Sequence, residues 1–154
     1  MDKAKAIFVS VGAALSSFLG ILYVPVLLMV LCNVIDYITG IFAAIYRGEK
    51  ISSSVGLRGI IKKISMWLLV VVGVIVDQLI LYATETIGIT FPLSFLVACI
   101  VVVWIICNEL ISILENIKKS GVKVPAFLDK ILYYVKDRTE QTGDINIGDE
   151  GRSA

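Results

Sequence analysis

Histidine is absent from this chain of 154 residues, proline and cysteine occur three times each, and only 18% of the residues are charged. Without histidine, and with Cys32, Cys99 and Cys107 each alone in an apolar run, there is neither metal-ligand spacing nor a disulfide framework. The cysteines read as small buried apolar residues. No serine, lysine or cysteine is arranged as a nucleophile beside a base, so no catalytic, cofactor-binding or metal-binding residue is expected, and no cofactor. The charge that is present is unevenly spread: no Lys or Arg lies between Lys5 and Arg47, or between Lys63 and Lys118.

What fills those gaps is apolar. With 58% hydrophobic residues and a mean hydropathy of +0.91, the chain has too little polar surface to coat a water-soluble domain of this size. It reads as an all-α, multi-pass membrane protein whose first partner is the lipid bilayer. Firm transmembrane helices are expected at residues 21–46, 64–82 and 93–114, each near the ~20 residues that cross ~30 Å of hydrocarbon, giving a transmembrane domain over 21–117. Residues 1–20 form an N-terminal apolar helix set off by Gly20 and Pro25, either a fourth span or a helix lying in the interface. Lys3 and Lys5 do not open a secretory signal, because the apolar character continues past Ala13 and Ala14 through Leu31.

Residues 118–138 are basic and amphipathic. Pro125 suits a first helical turn, and Phe127, Leu128, Ile131, Leu132 and Val135 recur at helical spacing opposite Asp129, Lys130, Lys136 and Asp137. Such a C-terminal amphipathic helix fits a membrane surface or a partner helix. Residues 139–154 are Gly-rich and acidic, and read as a disordered tail.

Orientation follows from the basic residues. The loop with Arg47, Lys50, Arg58, Lys62 and Lys63 is expected in the cytoplasm, the connection carrying only Glu85 outside, and the C-terminus with Lys118, Lys119 and Lys123 inside. If the first helix spans, Lys3 and Lys5 are cytoplasmic as well. The loop lacks the GxxxxGK[ST] order of a nucleotide cradle, so contact with anionic lipid is expected, and no nucleic-acid partner.

Each firm span holds an acid with an amide nearby: Asn33 and Asp36, Asp77 and Gln78, Asn108 and Glu109. Carboxylates cost ~2.5 kcal/mol or more near the bilayer centre, so they face water or other helices. Helical rise puts Asp36 near mid-membrane, Asp77 in the outer part and Glu109 close to the cytoplasmic end. With Thr39 they either line water when helices associate or make buried hydrogen bonds, and Glu109 and Glu115 are within reach of Arg58, Lys62 or Lys63. Small residues recur every four positions at Gly12, Ser16 and Gly20, and at Asp36, Gly40 and Ala44, faces that let helices approach closely in a homo-oligomer. No acid has a basic neighbour in its own span, and that missing compensation favours assembly.

The run Val34-Ile-Asp-Tyr-Ile-Thr-Gly40, the Ser52 to Ser54 stretch with Gly56, Arg58-Gly59 and Lys62-Lys63, and the passage from Asn108-Glu109 through Asn116 to Gly121-Val-Lys-Val-Pro125 resemble the toxin secretion/phage lysis holin family. The likeness covers roughly residues 30–132. It implies a bacteriophage protein that accumulates in the bacterial host's cytoplasmic membrane, then oligomerises and permeabilises it. An endolysin, or at some loci a toxin or bacteriocin, is thereby released without required direct contact. Under that reading Asn33, Asp36 and Thr39 meet water in the assembled state. Two other readings stand beside it: a small cation or proton channel or transporter subunit using the intramembrane carboxylates, and a noncatalytic membrane adaptor.

Overall fold

A span in hydrocarbon must satisfy its own backbone, and a short apolar segment does so as a helix. The computed structural model, which describes residues 3–49, 53–88 and 95–143, contains helices and no strand among the described residues. In chain order these are α1 (Lys3–Leu19), α2 (Tyr23–Tyr46), α3 (Ser53–Thr86), α4 (Leu96–Lys119) and α5 (Ala126–Gly143), with a single 3-10 turn (Gly20–Leu22) joining α1 to α2.

Among the described residues, three segments are long and apolar enough to cross a membrane: Gly20–Tyr46, Gly56–Thr86 and Leu96–Lys119, of 27, 31 and 24 residues. The first matches its expected bounds. Gly20, at a φ of 51°, ends α1, and Pro25 falls in the first turn of α2, where a missing N–H breaks no helical bond. The second differs, because α3 begins at Ser53 rather than 64. Arg58, Lys62 and Lys63 therefore stand on a helix and not in a loop, since Gly56 and Gly59 alone do not stop one with tertiary support. Arg47 does lie in the turn after α2, and Lys50 falls outside the described residues. The third helix ends at Lys119, five residues past its expected end.

α4 is the central helix and packs against α2, α3 and α5. Met29 of α2, Met66 and Val70 of α3, and Val102 and Ile105 of α4 form the apolar core. Large apolar side chains such as Leu27, Phe42, Ile64, Leu68, Val72 and Leu79 point outward, while Asn33, Asp77 and Glu109 are buried. Polar inside and apolar outside is the arrangement a bilayer solvent selects.

The end of α4 is a Schellman motif: the Val122 N–H donates to the Ile117 carbonyl and the Gly121 N–H to that of Lys118, with Gly121 at a φ of 81°. The chain then reverses and α5 runs back along α4. Lys118 pairs with Asp129 at 2.6 Å near one end, and the Trp104 indole N–H donates to Glu140 at 2.7 Å further along. The amphipathic helix thus finds a partner helix within its own chain. It continues to Gly143, past the expected boundary at 138, and residues 144–154 of the expected tail lie outside the described residues.

α1 stands apart. Ser16 is exposed, and a Cβ placed on Gly12 or Gly20 would meet nothing within 4 Å. Among the described residues nothing packs against Gly12 or Gly20.

Candidate functional site

Four polar side chains from three helices meet at one point. The Lys63 ammonium of α3 donates to Asp36 of α2 at 2.9 Å, to Glu109 of α4 in a shorter contact, and to the Asn33 side-chain oxygen at 3.3 Å. The level is set by helix length: Asp36, Glu109 and Lys63 each lie ten residues from the basic end of their helix, at Tyr46, Lys119 and Ser53 respectively. At 1.5 Å per residue that is about 15 Å of helix. Asp36 and Glu109 are therefore level with one another rather than at different depths, and their compensation comes across helices within one chain.

Asn116 of α4, seven residues beyond Glu109 and on the same face, extends the cluster. Its amide donates to Asp36 at 3.2 Å and to the Thr39 hydroxyl oxygen at 3.4 Å, and the Thr39 hydroxyl donates to the Ile35 carbonyl at 2.9 Å. Glu109 is only 2% exposed, so its charge is tolerable because Lys63 is there. One cation faces two carboxylates, and one donor is left over: the Asn33 amide nitrogen is buried without a partner among the described residues. Such an orphaned group costs ~1–3 kcal/mol.

On the basic side of this cluster lies a cavity of about 280 Å³, lined by Asp36, Gly40 and Ala44 of α2, Gly56, Gly59 and Lys63 of α3, and Ser112 and Asn116 of α4 among others. The Asp36, Gly40 and Ala44 face expected to serve a second copy is therefore turned inward. A Cβ on Gly40 would sit 3.6 Å from the Asn116 amide. Small residues on three facing helices leave the space open.

Asp77 belongs to a different construction. Its carboxylate accepts the backbone N–H groups of Val97 and Ala98 at 2.9 and 2.8 Å, so it caps the first turn of α4 from a neighbouring helix. Phe95, which occupies the cap position at a φ of 64°, offers no side-chain bond. One turn before Asp77, Gly73 makes this reach possible, for a Cβ there would lie 2.9 Å from the Ala98 Cα. Asn108 turns to its own helix and donates to the Trp104 carbonyl at 3.0 Å.

Of the described basic residues, Lys63 alone joins the cluster. Arg58 and Lys62 are exposed on α3, and Arg47 pairs with Glu49 at 2.7 Å at the surface. The hydrogen bond from Arg47 holds the Glu49 carboxyl below its usual range and raises Arg47 above its own. Asn116 and Gly73 were not singled out from sequence as site residues. Their signals are the seven-residue step from Glu109 and the four-residue step to Asp77.

No solved structure matches the chain. An uncharacterised protein of Listeria innocua is 36% identical over 121 residues, covering 79% of this chain and 78% of its own. One of Halalkalibacterium halodurans is 36% identical over 126 residues, covering 81% and 87%. A protein named probable holin, from Bacillus phage phi105, is 28% identical over 114 residues, covering 74% and 76%. The model of the bacteriophage holin family matches residues 13–137, which contain the whole cluster and all three spans, and the chain belongs to that family.

Proposed function

We propose that this holin accumulates in the cytoplasmic membrane of a bacterial host, associates with copies of itself, and opens that membrane so that an endolysin or a secreted toxin can cross. The basic ends of α2, α3 and α4, with the start of α5 beside them, face the cytoplasm in this reading, as the Lys and Arg distribution favours.

The observation that carries it is the buried polar cluster. Asn33, Asp36, Thr39, Lys63, Glu109 and Asn116 are enclosed by helices whose outer faces are apolar. In one chain these groups satisfy each other incompletely, with two carboxylates to one ammonium and an orphaned amide. When helices from several copies re-pack around shared water, every one of those groups gains partners, while the single chain in lipid has none to offer. That gain grows with copy density, a physical basis for abrupt, concentration-dependent opening.

Inducible expression in a bacterium without other lysis proteins tests this. Growth is expected to stop at a defined density, with loss of membrane potential and appearance of a cytoplasmic enzyme in the medium. Continued growth with an intact potential, in cells whose membranes demonstrably contain the protein, overturns it. Loss of ions without enzyme release would instead favour the channel reading, in which the same carboxylates carry a cation or proton.

A further inference from the structure

α5 has the composition of a helix that belongs at an interface, yet it lies against a span. Phe127, Ile131 and Tyr134 follow one another at steps of four and three residues and form one stripe, exposed at 58%, 54% and 59%. The grip on α4 comes from the neighbouring flank. Asp129 pairs with Lys118, Glu140 accepts from Trp104, the Lys136 ammonium sits 5.8 Å from the Trp104 ring centre, and Leu128 and Leu132 lie against Leu110 and Leu114. The docked helix holds α4 partly through polar groups and leaves Phe127, Ile131 and Tyr134 more than half exposed, with Ile131 and Tyr134 meeting α4 only along the grooves beside Leu114 and Val103.

Depth sharpens the conflict. Trp104 is fifteen residues from Lys119, about 22 Å along α4, beyond the middle of ~30 Å of hydrocarbon. Lys136 and Glu140 stand beside it, and Arg138 lines a groove with Cys99, Ile100 and Val103. A bilayer closing around this part of α4 would surround those charges with acyl chains, which disfavour each of them. At the basic end the balance is opposite. Lys118, Lys119, Lys123 and Lys130 gather where α5 begins, complementary to anionic headgroups.

We propose that α5 has a second seat, flat on an anionic lipid surface at the basic end of the bundle, and that it leaves α4 for that seat when the chain sits in a bilayer containing anionic lipid. There Phe127, Ile131 and Tyr134 enter the acyl boundary, Arg138 snorkels, and Asp129, Lys136 and Glu140 on the opposite side turn to water. The hinge already exists. Gly121 at a φ of 81° and the non-helical stretch up to Pro125 let α5 swing without melting a turn of either helix.

The test needs no lysis assay, so it stands or falls apart from the proposed function. In the full chain with Cys32, Cys99 and Cys107 replaced by alanine, Ile100→Cys and Gly143→Cys are introduced together. A Cβ at Gly143 lies 3.8 Å from the Ile100 Cγ2, so the two side chains are in van der Waals contact and a small shift brings two thiols there together. The protein is oxidised in vesicles of phosphatidylcholine and in vesicles of equal phosphatidylcholine and phosphatidylglycerol. The disulfide yield is expected to be about tenfold lower in the mixed vesicles, and to recover when Lys123→Gln and Lys130→Gln are added. In a separate variant, a fluorophore on Ile131→Cys should be quenched by lipid labels near the headgroups of the mixed vesicles. Equal disulfide yields in the two vesicles, whether high or low, or quenching only from the bilayer centre, overturns the proposal.

Discussion

Removing the Lys63 ammonium would leave Asp36 and Glu109 facing one another across the α2–α4 interface with no cation between them. Breaking one side of a buried ion pair costs ~3–5 kcal/mol, because the remaining charge stays desolvated. Lys63→Met is therefore expected to lower the thermal midpoint of the detergent-solubilised chain sharply, followed through the near-UV signal of Trp67 and Trp104. Adding Asp36→Asn and Glu109→Gln should recover most of the loss, since neutral groups need no counter-ion. A Lys63→Met chain that unfolds like the parent would show that the cluster does not hold these helices together. Asp77 is a separate case: Asp77→Ala strips the first turn of α4 of two charge-assisted bonds and is expected to cost about 3 kcal/mol, Asp77→Asn about half, in the same unfolding measurement. The acids were legible in the sequence, because a carboxylate in an apolar run is rare, and so was the pairing of Glu109 with a lysine or arginine near 58–63. Which of those residues pairs was not legible. Lys62 and Lys63 are adjacent, and only the phase of a helix already under way from Ser53 turns Lys63 inward and leaves Lys62 exposed.

Among the elements, glycines separate faces used within the chain from faces left open. Gly73→Ala would force a methyl to within 2.9 Å of the Ala98 backbone, and overpacking of this kind costs ~1–3 kcal/mol. Gly12→Ala meets nothing and should be neutral or stabilise α1 by ~0.5–1 kcal/mol. Equal effects of the two on thermal unfolding in detergent would contradict the close α3–α4 contact. Gly121→Ala is expected to be costly for two reasons: its φ of 81° strains any L side chain, and the new methyl would lie 2.7 Å from the Tyr46 hydroxyl. Three spans, the break at Gly20 and the amphipathic α5 could all be read from hydropathy and periodicity. The start of α3 could not, since charged residues end an apolar run without ending a helix, and α3 at 34 residues is about 51 Å long, well beyond the hydrocarbon it has to cross. The same blindness hid the partners of small faces: spacing shows that Gly40 and Ala44 permit close approach, while tertiary packing decides that within the chain α4 and the cavity take that face.

For the whole molecule the cluster has two opposed roles under the proposed function. In the single chain it binds α2, α3 and α4 together through Lys63, and in an assembly it is the reason to rearrange, because two carboxylates and an orphaned amide gain from water. These roles predict different timing for different substitutions at equal membrane density. Lys63→Met weakens the hold of α2 on α4 while leaving both carboxylates to seek water, so enzyme release should begin earlier after induction than with the parent chain. Combining Lys63→Met with Asp36→Asn and Glu109→Gln removes the charges from both states, and release should begin later or not at all, since buried amides gain far less from hydration than carboxylates. Onset is read from the appearance of a cytoplasmic enzyme, with membrane content matched by immunoblot. A cluster that only stabilised the fold would give the opposite order, with the destabilised Lys63→Met chain the less active and the neutral triple variant close to the parent.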